Sequence, residues 1–452
     1  MNYTVLVNKK NKWKESYLKK TNWVETKDIE GNTILVEKET NQAFLELKRL
    51  LQLEKIEIGI RSGYRDIESQ KEWIKEGSQE AKKQIAEPSF SEHHTGLALD
   101  IMIKKKDGCF TEKDLERVHP FLKECGFILR YPKGKEEITG YEYHPSHIRF
   151  VGKIPAKIIM EKDWSLEEYL EKFYAILYVN KPQGMTSFDI VKKISNLFGI
   201  KKVGHTGTLD PMATGVMIVA VGKATKIVEL LTAEDKEYIA SAQLGIQTDT
   251  YDITGEVIEE KEVLKDYPLD KVLKSFQKTY LQEVPIFSAT KVNGKKLYEY
   301  AREKKEVILP KKEVTIKEIS LEKQTNHQFT FKAKVSKGCY IRSLIHEIGQ
   351  SLDIGATMTS LQRTKQGKIS IEMTDTLEDI EKGLFTIHSI EEVLDYPVIK
   401  VEEEIKKKIL HGMKLEDCWN IKDKVIFQTK EGKLLGIYEK ENNTLQVYKN
   451  FC

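Results

Sequence analysis

The sequence predicts an α+β protein built of several parts. Its 452 residues, at about 150 per domain, suggest roughly three domains. Within single regions, apolar residues recur at helical spacing in some segments and alternate as strands do in others. The character of the chain also changes sharply near 172–175, with no flexible linker between the parts.

Residues 41–51 place Ala43, Phe44, Leu47, Leu50 and Leu51 on one helical face. A β-rich run at 56–60 follows and opens into the turn that carries Arg65, after which helical spacing resumes through Gln70, Trp73 and Ile74. A second strand is predicted over 97–103, alternating around Asp100, and a third over 147–151, ending at Gly152. Two short helices close the region, at 155–162 and 165–172. Ser165 stands at an N-cap, with Glu167 and Glu168 in the first turn where the helix dipole favours acids.

From Ala175 the chain reads as a strand, then a turn at KPQGMTS, then a helix with Val191, Ile194, Leu197 and Phe198 on one face. Thr186 and Asp189 form a capping-box-like start. From about Val398, short alternating runs at 424–428, 434–438 and 444–448 are separated by turn signals, which predicts a small β-rich appendage.

Composition limits the function classes. A hydrophobic fraction of 40% with 9% aromatics supports real cores and excludes a disordered chain. No stretch approaches the roughly 20 apolar residues of a membrane span. The first residues, MNYTVLVNKK, lack the apolar core of a signal peptide, so a cytoplasmic location is expected. The five cysteines (Cys109, Cys125, Cys339, Cys418 and Cys452) include no CxxC pair, and reduced, isolated thiols are expected. With 73 basic against 70 acidic residues, net +3, a phosphate-binding face has to come from local clustering.

The first chemical constellation is SEHHTGLALD at 91–100, which sets His93 and Asp100 seven positions apart, with His147 at the start of a later strand. On spacing alone these are ordinary polar residues as readily as ligands. Zinc favours such nitrogen and oxygen donors, and a catalytic zinc keeps three protein ligands and one open position. The order SGYRDIESQ, SEHHTGLALD, HIRFVG resembles the zinc D-alanyl-D-alanine carboxypeptidases and dipeptidases of the VanY/VanX type, over residues 1–172. The resemblance implies Zn²⁺ on His93, Asp100 and His147, substrate contacts from Arg65, Ser91 and Gln70, and a small antiparallel sheet carrying the metal. It also implies a small D-Ala-D-Ala-type peptide as partner. The sequence departs from that family at one point. Where the family carries its general-base Glu, three residues before the last zinc ligand, this chain has His144, and Ser146 replaces a Trp. His144 is a candidate base, as is Glu142. The alternative is a metal-binding domain without hydrolysis.

The second constellation is GHTGTLDPMATG at 204–215. Its glycines permit close backbone approach and Pro211 fixes the chain just after Asp210. Read alone, Asp210 is equally a turn former. The ordered segments NKPQGMTS, GHTGTLDPMATGV, KEYIASAQLG, KVNGKKLYEYAR and SKGCYIRSLIHEIG are similar to the TruB family of tRNA pseudouridine synthases, from about Ala175 to the end of the chain. The resemblance implies a mixed sheet with the Asp loop over a central cleft, tRNA as partner, and no cofactor. It makes Asp210 the reacting carboxylate, buried and kept ionised by Arg342, and Tyr238 the aromatic under a flipped-out uridine. Tyr340 lines the same pocket, and His205 helps hold the RNA or the flipped base. Other readings stay open: a surface or phosphate-binding Arg342, an ordinary strand Tyr238, a loop-satisfied His205. Lys181, Lys201, Lys202, Lys291, Lys295 and Lys296 lie in turns beside the motifs as candidates for phosphate contact.

The expected organisation is therefore a peptidase-like zinc domain at 1–172, a synthase domain at 175–397 and a PUA-like, barrel-type RNA-binding appendage at 398–452. A monomer acting on uridine 55 of the tRNA T arm is the leading expectation. The alternative is a zinc peptidase whose synthase half only binds RNA.

Overall fold

The computed structural model describes residues 2–76, 86–263 and 267–451. The chain forms two compact units, Met1–Tyr174 with Lys192–Val203, and Ala175–Val191 with Gly204–Cys452. Among the described residues no helix is long and apolar enough to cross a membrane. Four of the five cysteines are free thiols, and Cys452 lies outside the described residues.

In the first unit, strands Ile58–Ser62, Ala98–Lys104, His147–Phe150 and Phe127–Leu129 pair in that order, with Phe110–Thr111 added beside Ala98–Lys104. All these pairings are antiparallel. Helix Lys38–Leu53 buries Ala43, Phe44, Leu47 and Leu51 in one core with Ile58, Ile60, Leu99 and Ile101. Its start is fixed by Glu37, whose carboxylate accepts the Thr40 N–H at 2.9 Å. The first strand begins two residues later than its apolar run suggests. Lys55 turns into the left-handed region, φ 58°, and the Ile56 N–H still closes on Leu51 O, so Ile56 belongs to the helix exit. Helix Lys153–Glu161, by contrast, starts earlier than predicted. Pro155 falls in its first turn, where a missing N–H costs nothing. Ser165 caps helix Leu166–Lys172 in a complete capping box with Glu168, worth about 1 kcal/mol.

The second unit holds a ten-stranded mixed sheet. Its order runs Thr279–Glu283, Lys311–Gln324, Gln328–Val335, Lys236–Leu244, Ala356–Gln366, Thr214–Gly222, Tyr174–Lys181, Asp375–Thr376, with Ile369–Ser370 paired to Ala356–Gln366 and Val203–His205 to Thr214–Gly222. Thr214–Gly222 lies parallel to Ala356–Gln366, and Asp375–Thr376 parallel to Tyr174–Lys181, among antiparallel neighbours. Strand Lys236–Leu244 shows the two-residue period of a sheet with one buried face: Tyr238, Ala240, Ala242 and Leu244 are buried and their neighbours are half-exposed. Helix Ile341–Ser351 packs Ile341, Leu344, Ile345 and Ile348 into the same core.

The last strands, Val398–Lys400, Lys424–Gln428, Leu434–Glu441, Thr444–Asn450 and Leu415–Glu416, form a five-stranded sheet around Val425, Phe427, Tyr438 and Leu445. The expected barrel is not closed by hydrogen bonds. Among the described residues the pairing order ends at Val398–Lys400 on one side and Leu415–Glu416 on the other.

Candidate functional site

In the second unit a cleft of ≈ 410 Å³ is lined by the Asp loop, Tyr238, Ser288, Tyr340, Arg342 and Arg363. Several braces fix the loop. Ser187 Oγ accepts the Leu209 N–H at 2.9 Å and donates to Leu209 O at 3.1 Å. Asp210 O accepts the Ala213 N–H at 3.0 Å, closing the turn around Pro211. Gly215, at φ +104°, leaves the loop where any Cβ would stand 2.2 Å from Arg363 O, so only glycine fits.

Arg342, at the second position of helix Ile341–Ser351, grips Asp210 with two nitrogens: Nε to Oδ2 at 2.9 Å and Nη2 to Oδ1 at 3.3 Å. Its remaining donors reach Thr250 O at 2.9 Å and Phe287 O at 3.0 Å, and Asp252 Oδ2 lies 3.6 Å away. The guanidinium thus stands between two carboxylates and is itself buried. Asp210, expected to be buried, keeps a third of its side chain exposed, because the Pro211 turn lifts it to the cleft wall.

Tyr238 is buried in the cleft wall, and burial pushes its phenol upward. Tyr340 also lines the cleft. Gln282 clamps its backbone, accepting its N–H at 2.8 Å and donating to its C=O at 3.2 Å, while its hydroxyl meets Thr290 Oγ1 at 3.0 Å. His205 stands outside the set of cleft-lining residues, and its Nδ1 accepts the Gly207 N–H at 3.3 Å.

Lys181 corrects a prediction. It is fully buried and cannot meet an RNA phosphate. Its ammonium donates to Ala213 O at 2.6 Å, Pro182 O at 3.0 Å and Pro211 O at 3.3 Å, tying the strand end to the Asp loop. Burial pushes its pKa down to about 8. Lys201, Lys202 and Lys291 are exposed. Lys295 pairs with Glu303, and Lys296 lies 3.1 Å from the Tyr298 hydroxyl.

In the first unit the sheet register builds the second site. Asp100 and His147 are direct cross-strand partners, so their side chains project on one face. His147 Nδ1 lies 2.9 Å from Asp100 Oδ1, and His93 Nε2 lies 3.1 Å from Asp100 Oδ2. His93 comes from the 3-10 turn Glu92–Thr95 and donates Nδ1–H to Gly63 O at 2.7 Å, leaving Nε2 free for a ligand. Burial alone would raise the Asp100 carboxyl, but the two imidazoles beside it hold it well below the usual range. The three ligand atoms lie within 4.8 Å of one another. Two imidazole nitrogens and a carboxylate with that spread fit a zinc ion at bonds of about 2.0–2.2 Å, with the fourth position left for water or substrate.

Arg65 is buried, its N–H groups reaching Gln70 Oε1 at 2.8 Å and Ser62 Oγ at 2.9 Å, with its plane 3.8 Å above the Trp73 ring. Two predicted substrate contacts take supporting positions instead. Gln70 is buried and orients Arg65 while donating to Ala86 O. Ser91 is buried and caps the turn that carries His93. His144 stacks on His147, ring centroids 5.6 Å apart, and burial pushes its pKa down, helped by His147. Glu142 is exposed.

Sequence reasoning missed Asp252, Gln282, Arg363 and Glu92. The first three sit in polar runs that read as turns or ordinary strand positions. Glu92 stood inside a recognised motif, and only its complete burial distinguishes it.

Comparison with known proteins assigns both units. Residues 195–341 match the TruB family pseudouridylate synthase (N terminal domain), and 342–405 match the tRNA pseudouridylate synthase B C-terminal domain. Residues 33–153 match D-alanyl-D-alanine carboxypeptidase. A tRNA pseudouridine synthase B of Fusobacterium nucleatum is 43% identical over 282 residues, 60% of this chain and 96% of that protein. The Bacillus subtilis enzyme of the same name is 41% identical over 283 residues, 58% of this chain and 92% of that protein. Among solved structures, a vancomycin-resistance D,D-pentapeptidase VanY in complex with Zn(II) is 28% identical, covering 38% of this chain and 99% of that one, at a TM-score of 0.33. The fold is that of a pseudouridylate synthase. The chain belongs to the TruB family, and carries in addition a D-alanyl-D-alanine carboxypeptidase-like domain at its N-terminal end.

Proposed function

We propose that the chain converts uridine to pseudouridine in the T arm of tRNA, at position 55, with Asp210 as the reacting carboxylate. One observation carries the reading: among the described residues, Asp210 is the lone acid lining the cleft, and Arg342 grips it with two nitrogens. The reaction breaks the N1–C1′ bond, turns the base, and joins C5 to C1′. C5 loses a proton and N1 gains one, so no redox partner enters. Asp210 acts at the sugar carbon or on the moving proton, and Arg342 holds both its oxygens in place. A uridine in a folded arm has to leave the stack, and the Tyr238 ring in the cleft wall is the surface for it. Tyr340, fixed by Gln282, closes the same pocket. His205 shapes the loop and the exposed Lys201, Lys202 and Lys291 are candidates for the phosphate backbone. Mass spectrometry of tRNA incubated with the full chain tests this. Wild-type protein should yield pseudouridine, and Asp210→Asn should bind tRNA without converting it.

A second reading concerns the first unit alone and rests on the His93–Asp100–His147 triangle. It takes a divalent metal such as zinc and a small peptide ending in D-alanine. Bound zinc would polarise a carbonyl and lower the pKa of water. The buried Arg65 suits a peptide carboxylate, and His144 occupies the position from which a proton would be taken. Release of D-alanine from D-Ala-D-Ala by the zinc-loaded full chain tests it.

A further inference from the structure

Beneath the three candidate ligands, two buried polar atoms face one another. Glu92 Oε2 and His147 Nε2 stand 3.8 Å apart, and neither has a hydrogen-bond partner. Glu92 is fully enclosed. Its other oxygen is taken twice, by Arg130 Nε at 2.8 Å and by Arg149 Nη1 at 2.7 Å. Arg130 also holds both oxygens of Glu167, at 2.7 and 2.9 Å. Two guanidiniums and two carboxylates balance, and their attraction outweighs the burial that would otherwise raise the Glu92 carboxyl. The cluster therefore locks Glu92 by Oε1 and leaves Oε2 turned to the imidazole.

A histidine that binds a metal through one nitrogen carries its proton on the other, and the group facing that proton selects the tautomer. His147 Nδ1 is the nitrogen on the ligand side, 2.9 Å from Asp100. Nε2 is the nitrogen on the Glu92 side, and a carboxylate there accepts a proton but cannot give one. We propose that Glu92 is a positioning residue of the metal centre: its Oε2 accepts the Nε2–H of His147, so that Nδ1 turns its lone pair to the metal. The inference rests on reading His93, Asp100 and His147 as metal ligands. His93 is set in the opposite sense, with its Nδ1–H on Gly63 O and Nε2 as the ligand.

Glu92→Gln is the informative change, since it keeps the shape. Arginines only donate, so they keep the amide oxygen and turn the amide NH₂ toward Nε2. Two donors then oppose each other, and the ring is driven to the tautomer that blocks Nδ1. Zinc affinity of the full chain, measured by competition with a chromophoric chelator, should fall about 10–100-fold. In zinc-loaded wild-type protein with ¹⁵N-labelled histidine, His147 should carry its proton on Nε2. A folded E92Q protein that binds zinc as tightly as wild type overturns the inference, as does a wild-type His147 protonated on Nδ1. The second measurement needs no variant and decides the matter if E92Q does not fold. Wild-type protein that takes up no zinc overturns the metal reading itself, an outcome distinct from tight zinc binding that ignores Glu92.

Discussion

Asp210 Oδ2 and Arg342 Nε stand 2.9 Å apart, and a second nitrogen of the same guanidinium reaches the other carboxylate oxygen. The pair spans the cleft wall from a loop on one side and a helix start on the other, so the carboxylate is aimed by two elements at once. Arg342→Lys keeps the charge and loses the fork. It should lower kcat/KM for tRNA conversion by about 100-fold or more, with tRNA binding changed only a few-fold. Single-turnover conversion and filter binding separate the two.

Gln282 acts at one remove. It holds both backbone groups of Tyr340, two positions before Arg342. Gln282→Leu leaves the Tyr340 N–H unpaired, while its C=O still accepts the Leu344 N–H; the lost partner costs about 1–3 kcal/mol. It should reduce turnover more than tRNA affinity, while Gln282→Asn, with its shorter reach, should recover part of the stability. Denaturant midpoints and turnover of the two proteins check this.

Lys181 makes a prediction about pH. Its pKa is about 8 in the folded chain against the ordinary lysine value of 10.5, so between those values the unfolded chain binds a proton that the folded chain lacks. Stability should therefore rise as pH goes from 8 towards 10. Above pH 10 the trend should reverse, because buried tyrosines such as Tyr178, pushed up to about 12, keep their protons longer folded than unfolded. Lys181→Met should be less stable at pH 7, through loss of three carbonyl contacts, and should show a smaller rise. Urea midpoints from pH 7 to 11 measure both effects.

The resemblance to the zinc carboxypeptidases sets His144 at the position of that family's general-base Glu. If the displaced base limits hydrolysis, His144→Glu should raise D-alanine release from D-Ala-D-Ala by about 100-fold, with zinc content unchanged. An assay of free D-alanine on zinc-loaded full chain reads this directly.

Much of both sites was legible in the residues. Asp210, Arg342, Tyr238 and Tyr340 line one cleft, and His93, Asp100 and His147 lie together in the first unit, because ordered motifs fix local chain geometry as well as chemistry. Strand and helix periods placed the main elements, with shifts of two residues where Lys55 and Gly152 redirect the backbone. Partnership was not legible. Lys181 looks like any loop lysine until the sheet closes over it, and Gln70 and Ser91 look like substrate contacts until their hydrogen bonds turn inward. Asp252, remote in sequence from Arg342, becomes its neighbour only through the fold. Burial and long-range pairing are set by tertiary packing, which no local pattern encodes.

The cross-strand pairing of Asp100 with His147 has a practical corollary. Side chains in a sheet alternate sides, so a one-residue slip between these strands would send one imidazole to the opposite surface and dismantle the donor triangle. Once zinc uptake by the wild-type protein has been measured, a variant that folds yet loses that uptake would report a slip in the N-terminal sheet.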